Sequence, residues 1–100
     1  MLNTSYEWNG TTLTVKPAGE LDSKTSPAFE AELRQILPGA DMTIVDFEQV
    51  NYISSAGLRV LLAIEQQLES RDANMKLIHV NKYILEIFDL VGFQNIVTVE

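Results

Sequence analysis

Apolar positions along the chain follow two periods, two in some stretches and about three and a half in others. Leu13 and Val15 alternate with Thr12, Thr14 and Lys16, the period of a half-buried strand. A strand over 5–8 precedes it, separated by Asn9-Gly10, a pair that tolerates positive φ and marks a hairpin turn. Gly19-Glu20-Leu21-Asp22 reads as a loop or short extended piece. Thr25-Ser26-Pro27 predicts a helix start, with a capping hydroxyl and a proline in the first turn. Phe29, Leu33, Ile36 and Leu37 form its apolar stripe, and Pro38-Gly39 ends it. Residues 42–47 are almost continuously apolar, as in a central strand covered on both faces. A short polar connector leads to a second helix over 55–70. Its apolar face holds Leu58, Leu61, Leu62 and Leu68, with Glu65 and Glu69 toward its far end. Residues 74–80 predict the next strand. Asn81 can cap a third helix carrying Ile84, Leu85, Phe88 and Val91, with Gly92 as its stop, and residues 96–99 close as a last strand.

The order β-β-α-β-α-β-α-β predicts an α/β domain, a mixed β-sheet with helices packed on it and an N-terminal β-hairpin at its antiparallel edge. One hundred residues are read as one domain over 1–100, long enough to bury one core.

Composition narrows the chemistry. The absence of cysteine excludes disulfides, thiolate zinc sites and thiol catalysis. His79 is the only histidine, and no acids stand at metal-binding spacing from it, so neither metal nor cofactor is expected. Fourteen acidic residues against seven basic ones give a formal charge of −7, with the basic residues scattered. Nucleic acid and anionic membranes need clustered Lys and Arg and are not expected partners. The expected large partner is another protein, although such a charge also serves solubility alone. No apolar run approaches ~18 residues, so no direct membrane insertion is expected. The first residues lack the basic start and apolar run of a signal peptide, which leads to an expected cytoplasmic location.

The stretch that could carry function is Ser54-Ser55-Ala56-Gly57-Leu58-Arg59, where an extended segment enters the second helix. A hydroxyl there meets unpaired backbone N–H groups and the positive end of the helix dipole. It serves either as a cap or as the acceptor of a phosphate. Gly57 either lets a partner backbone approach or packs the helix start tightly on the sheet. Asp22 is either a partner contact or an Asx-type turn residue. Leu58 is expected to be partly core, and Arg59 to be a contact or a surface charge. Catalysis is not expected. Ser55 and Gly57 make half of a Gly-x-Ser-x-Gly elbow, but Ile53 stands where the first glycine belongs. A phosphate-binding Gly-x-x-x-x-Gly-Lys loop is also missing from the sequence.

Several pieces together resemble the bacterial anti-sigma factor antagonists, which are stand-alone STAS domains. They are Gly19-Glu20-Leu21-Asp22, Val45-Asp46-Phe47 with Val50 and Ile53, Ser54-Ser55-Ala56-Gly57-Leu58, the strand over 76–80, and Phe88 with Val91-Gly92-Phe93. The resemblance runs over about residues 6–99. It implies a partner that is both anti-sigma factor and serine kinase. The unmodified antagonist binds that kinase and frees a sigma factor, phosphorylation releases it, and a phosphatase resets it. The family's usual motif is Asp-Ser-Ser/Thr/Ala-Gly-Leu with the serine after the Asp as acceptor. That acceptor aligns with Ser55, with Ser54 as second choice because it replaces the usual Asp. The implied partner-binding set is Asp22, Ser54, Ser55, Ala56, Gly57, Leu58 and Arg59. The alternative is a non-switching STAS scaffold subunit of a transport or signalling complex, a reading that the uncharged Ser54 favours.

Overall fold

In the computed structural model, which describes residues 2–100, the hairpin opens the fold. Strands β1 (Leu2–Asn9) and β2 (Thr12–Leu21) pair antiparallel, with Asn9 opposite Thr12. The two-residue turn is therefore Gly10-Thr11, one residue later than Asn9-Gly10. Gly10 takes φ 63° at its first position, a conformation open to glycine at little cost. Then follow α1 (Ser26–Ile36), β3 (Met42–Asp46), β4 (Gln49–Ile53), α2 (Ser55–Glu69), β5 (Asn74–Ile78), α3 (Lys82–Val91), a 3-10 turn (Phe93–Asn95) and β6 (Thr98–Val99). The sheet runs β1-β2-β3-β5-β6, parallel from β2 onward, and β4 adds to β2 beyond the end of β3.

β4 corrects the expected polar connector. β2 holds β3 along residues 12–15 and β4 along residues 18–21, so Gly19-Glu20-Leu21 is strand and not loop. Gly19 pairs with Val50 and Glu20 with Tyr52, which leaves Asn51 as the extra residue of a bulge. The bulge puts buried Val50 and Ile53 three apart, so the period of two is lost and the strand is hidden in the sequence.

One sheet face is sealed. Leu13, Val15, Val45 and Leu77 are fully buried against Phe29 and Leu33 of α1, Leu61 and Ile64 of α2, and Phe88 of α3. Each such side chain contributes roughly 1.5–3 kcal/mol of transfer free energy. Tyr6 lies on this face opposite Val15, and its hydroxyl donates to Glu32 of α1 at 2.8 Å. Burial and the Glu32 carboxylate push the phenol's pKa well above its ordinary value. The other face is only half-covered. Met42, Ile44 and Asp46 stay partly exposed, so β3 is not buried on both sides as its composition suggested.

The third helix follows its local signals. The Asn81 side chain accepts the Ile84 N–H at 2.9 Å, and Gly92 ends the helix in the left-handed conformation at φ 70°. Val91 does not join the core stripe. It is 59% exposed, and Phe93 in the 3-10 turn takes the inner place, stacked on Phe88 at 4.3 Å between ring centres. β5 stops at Ile78 because His79 adopts φ 58°, and β6 is confined to Thr98–Val99 because the 3-10 turn reaches Asn95.

Candidate functional site

In a parallel sheet the carboxyl ends of the strands share one end, where crevices form. Here those ends form two places: Leu21-Asp22 at the end of β2 meets Ile53-Ser54 at the end of β4, while Asp46 at the end of β3 meets Ile78-His79 at the end of β5, about five residues lower along β2.

The entry to α2 is fixed by main-chain contacts. Ile53 pairs with Leu21, and the Ser54 N–H donates to the Leu21 carbonyl at 2.9 Å. Ser54 is the extended N-cap residue, and its own carbonyl accepts the Leu58 N–H at 3.0 Å. Its side chain does not cap, because Oγ is buried without a hydrogen-bond partner. Ser55, the first helical residue, is exposed. The two adjacent hydroxyls are thus sorted, one shut inside and one on the surface.

Gly57 resolves in favour of tight packing. A Cβ there would lie 2.8 Å from the Leu21 carbonyl oxygen, 2.8 Å from Ile53 Cγ1 and 2.9 Å from Leu21 Cγ. The glycine is buried and lets the helix start sit against the end of the sheet. Ala56 is half-buried, Leu58 is half-buried against the core, and Arg59 is exposed.

Asp22 belongs to the loop anchored by Leu21. Its Oδ1 accepts the Thr25 N–H at 3.0 Å and the Lys24 N–H at 2.9 Å, and those two amides hold its carboxyl below the usual carboxylate range. The Asp22 N–H donates in return to Thr25 Oγ1 at 2.9 Å, and that hydroxyl donates to the Glu20 carbonyl at 2.8 Å. Thr25 therefore closes the loop, and its side chain does not make the cap on α1 that the sequence predicts. The Asx-turn role of Asp22 is present in these bonds.

Two features escape the sequence. The first is an open apolar groove beside Ser55, walled by Leu58, Leu62, Val91, Phe93 and Ile96. Of its walls, Val91 is 59% and Ile96 56% exposed, and Leu90, next to Val91 in the chain, is 86% exposed. Exposed Leu90-Val91 at the end of α3 were the available signal, masked because Val91 fits the helical stripe. The second is a charged cluster. His79 Nδ1 lies 2.9 Å from Asp46 Oδ1, which also accepts the Glu48 N–H at 3.0 Å. Desolvation pushes the Asp46 carboxyl up, but the Glu48 amide, His79 and Lys16 outweigh it and hold the pKa low. Potential ligand atoms of Asp46, Glu48 and His79 lie within 4.8 Å of one another, an arrangement that the 33-residue separation of Asp46 and His79 concealed.

Among the described residues, no helix is long and apolar enough to cross a membrane. A family model described as "Mlab, STAS domain" matches residues 4–98. BtrV of Bordetella bronchiseptica, which carries the name of an anti-sigma factor antagonist, is 34% identical over 79 residues, covering 78% of this chain and 68% of that protein. The anti-sigma-B factor antagonist of Bacillus subtilis is 25% identical over 99 residues, covering 98% of this chain and 90% of that one. In structure, the fold matches a Thermotoga maritima protein that carries the name of an anti-sigma factor antagonist, with TM-score 0.90 at 18% identity, over 96% of this chain and 84% of that one. It also matches SpoIIAA, solved unphosphorylated and, from Bacillus, phosphorylated, with TM-scores 0.78 and 0.76 at 18% identity. Those matches cover 98% of this chain and 87% and 91% of the two SpoIIAA chains. The relatives named here are regulatory binding proteins rather than enzymes.

Proposed function

The chain belongs to the STAS-domain family, and from that premise we propose that it is an anti-sigma factor antagonist switched by phosphorylation of Ser55. The unmodified protein binds an anti-sigma factor that is also a serine kinase, through the start of α2, the adjoining groove and the Asp22 loop. The kinase transfers the γ-phosphoryl group of ATP to Ser55 Oγ. A new P–O bond forms there, ADP leaves with the electrons of the broken bond, and the hydroxyl proton passes to a base on the kinase or to solvent. The complex then separates, and a phosphatase returns the serine by hydrolysis.

One observation carries the choice of acceptor. The Ser55 hydroxyl is at the surface, whereas Ser54 Oγ is sealed in without a partner. A kinase reaches Ser55 without unfolding the helix entry. The added group brings about −1.5 to −2 charge. Beside the free N–H groups of α2 the fold tolerates it, by roughly 0.3–2 kcal/mol of favourable dipole energy. Pressed against an apolar or acidic partner surface it opposes binding, and a loss of ~2.7 kcal/mol weakens a complex about a hundredfold.

Incubation with ATP, magnesium and the cognate anti-sigma factor kinase, followed by intact mass and peptide mapping, tests the reading. One phosphate on Ser55 is expected, with kinase binding lost on modification and retained permanently by Ser55→Ala. Equal binding by the unmodified and phosphorylated proteins refutes it. A second reading, a non-switching scaffold subunit, is favoured by the uncharged Ser54, its Oγ buried, at the family's usual Asp position. A kinase active on another substrate that leaves this chain unlabelled selects that reading.

A further inference from the structure

Arg59 stands one helical turn beyond Ser55, and both line the same groove. Residues four apart on a helix have Cβ atoms about 5–6 Å apart, and a negative group ahead of a positive one is the favourable order. Arg59 is the one charged side chain in that lining. Arg34 is engaged with Glu30, Arg71 with the Leu37 carbonyl and Lys76 with Glu100. Among the described residues, Lys16, Lys24 and Lys82 are as free of ion pairs as Arg59, but none of them lines the groove beside Ser55. Arg59 has no ion pair among the described residues, and no acidic residue occupies the first turn of α2. In a chain of net charge −7, an unpaired guanidinium beside an exposed hydroxyl points to an anion formed on that hydroxyl.

We propose that Arg59 is the intramolecular receptor for the phosphate on Ser55. Its guanidinium turns back along α2 and forks onto the phosphate oxygens in a charge-assisted pair. This inference rests on the reading of Ser55 as the acceptor and assigns how its modified state is read. Before modification the pair presents one positive charge at the rim of an apolar groove, suited to a partner carboxylate. After it, about −2 from the phosphate and +1 from the guanidinium leave about −1. The local charge changes sign, and the guanidinium is withdrawn from the partner at the same time.

The test uses protein carrying phosphoserine installed at position 55 during synthesis, so that no kinase is involved. The second phosphate ionisation, near pH 6 in ordinary phosphoserine, is followed by phosphorus NMR. The wild-type chain is expected to titrate at least about 0.3 unit below Arg59→Gln, with Arg59→Lys recovering part of the difference. The Arg59 Nε–H resonance of the wild type is expected to shift with the same midpoint, a readout that needs no variant. Equal titration in wild type and a folded Arg59→Gln, or an Nε–H resonance indifferent to the phosphate, overturns the proposal. Failure of the kinase to label Ser55 would instead remove the functional reading, while the titration still decides the role of Arg59.

Discussion

Replacing Gly57 with alanine probes the anchoring of α2 directly. Helix propensity alone favours the change by up to about 1 kcal/mol. The structure opposes it. Three contacts fall below 3.0 Å, and one of the atoms is the Leu21 carbonyl oxygen, already held by the Ser54 N–H. Reaching ordinary contact at 3.4 Å from 2.8 Å needs a shift of about 0.6 Å. The oxygen cannot supply it without losing the Ser54 bond or disturbing the pairing of Leu21 with Ile53. Overpacking of this kind costs about 1–3 kcal/mol. Set against the propensity gain, Gly57→Ala is expected to destabilise by about 1–2 kcal/mol, since glycine in the first turn gives up less than its full propensity penalty. In a domain of this size, each kcal/mol corresponds to a fall in Tm of about 4–8 °C. Urea and thermal unfolding of wild type and variant measure it. A variant as stable as wild type, or more so, refutes the reasoning, because it would mean that the helix start moves outward freely.

Four further outcomes follow from named contacts. Ser54→Ala is expected to leave stability within about 0.5 kcal/mol or raise it, because the lost hydroxyl is buried and unpartnered. Asn81→Ala should cost about 1 kcal/mol or more, since Asn81 caps α3 and also donates to the Val50 carbonyl at 3.2 Å; equal effects of the two changes in urea unfolding would contradict the cap assignments. Glu65 has its pKa raised by desolvation and by Glu69, so the unfolded chain binds fewer protons and stability falls as pH rises from the unfolded to the folded pKa. Glu65→Gln should therefore stabilise at pH 7, with the gain vanishing below the unfolded Glu pKa of about 4.3; a gain that persists at pH 3 would refute the electrostatic cause. Asp22 has the opposite sign, because its lowered pKa supplies stability above the unfolded value of about 3.9 that is lost as pH falls through the folded one. Asp22→Asn should flatten that acid limb in pH-dependent unfolding, and an unchanged limb would show that the Thr25 and Lys24 amides do not select the charged form.

What the sequence disclosed and what it hid divide along the range of the interactions. The Asn81 cap, the Gly92 stop and the hairpin at Gly10 rest on contacts within a few residues, so residue type alone signals them. The α2 start was visible for the same reason. β4 was hidden because its bulge is defined only against Gly19 and Glu20 of another strand. The family resemblance ranks Ser55 over Ser54, but which of the two hydroxyls turns inward was illegible from the residues. Two identical side chains are distinguished by which one turns inward, and that depends on the approach of Leu21. The Asp46–His79 pair and the groove from α2 to Ile96 join segments about thirty residues apart or more, and no local pattern encodes such meetings.

The anchoring of α2 has an evolutionary consequence. The entry is held by a carbonyl, an amide and a side chain that is absent, at Leu21, Ser54 and Gly57. None of these depends on what projects from Ser55 or Arg59. The outward residues can therefore be rewritten while the platform stays in register. A gene duplicated many times within one genome could acquire a separate partner vocabulary for each copy, insulated from its siblings, without rebuilding the frame that presents it.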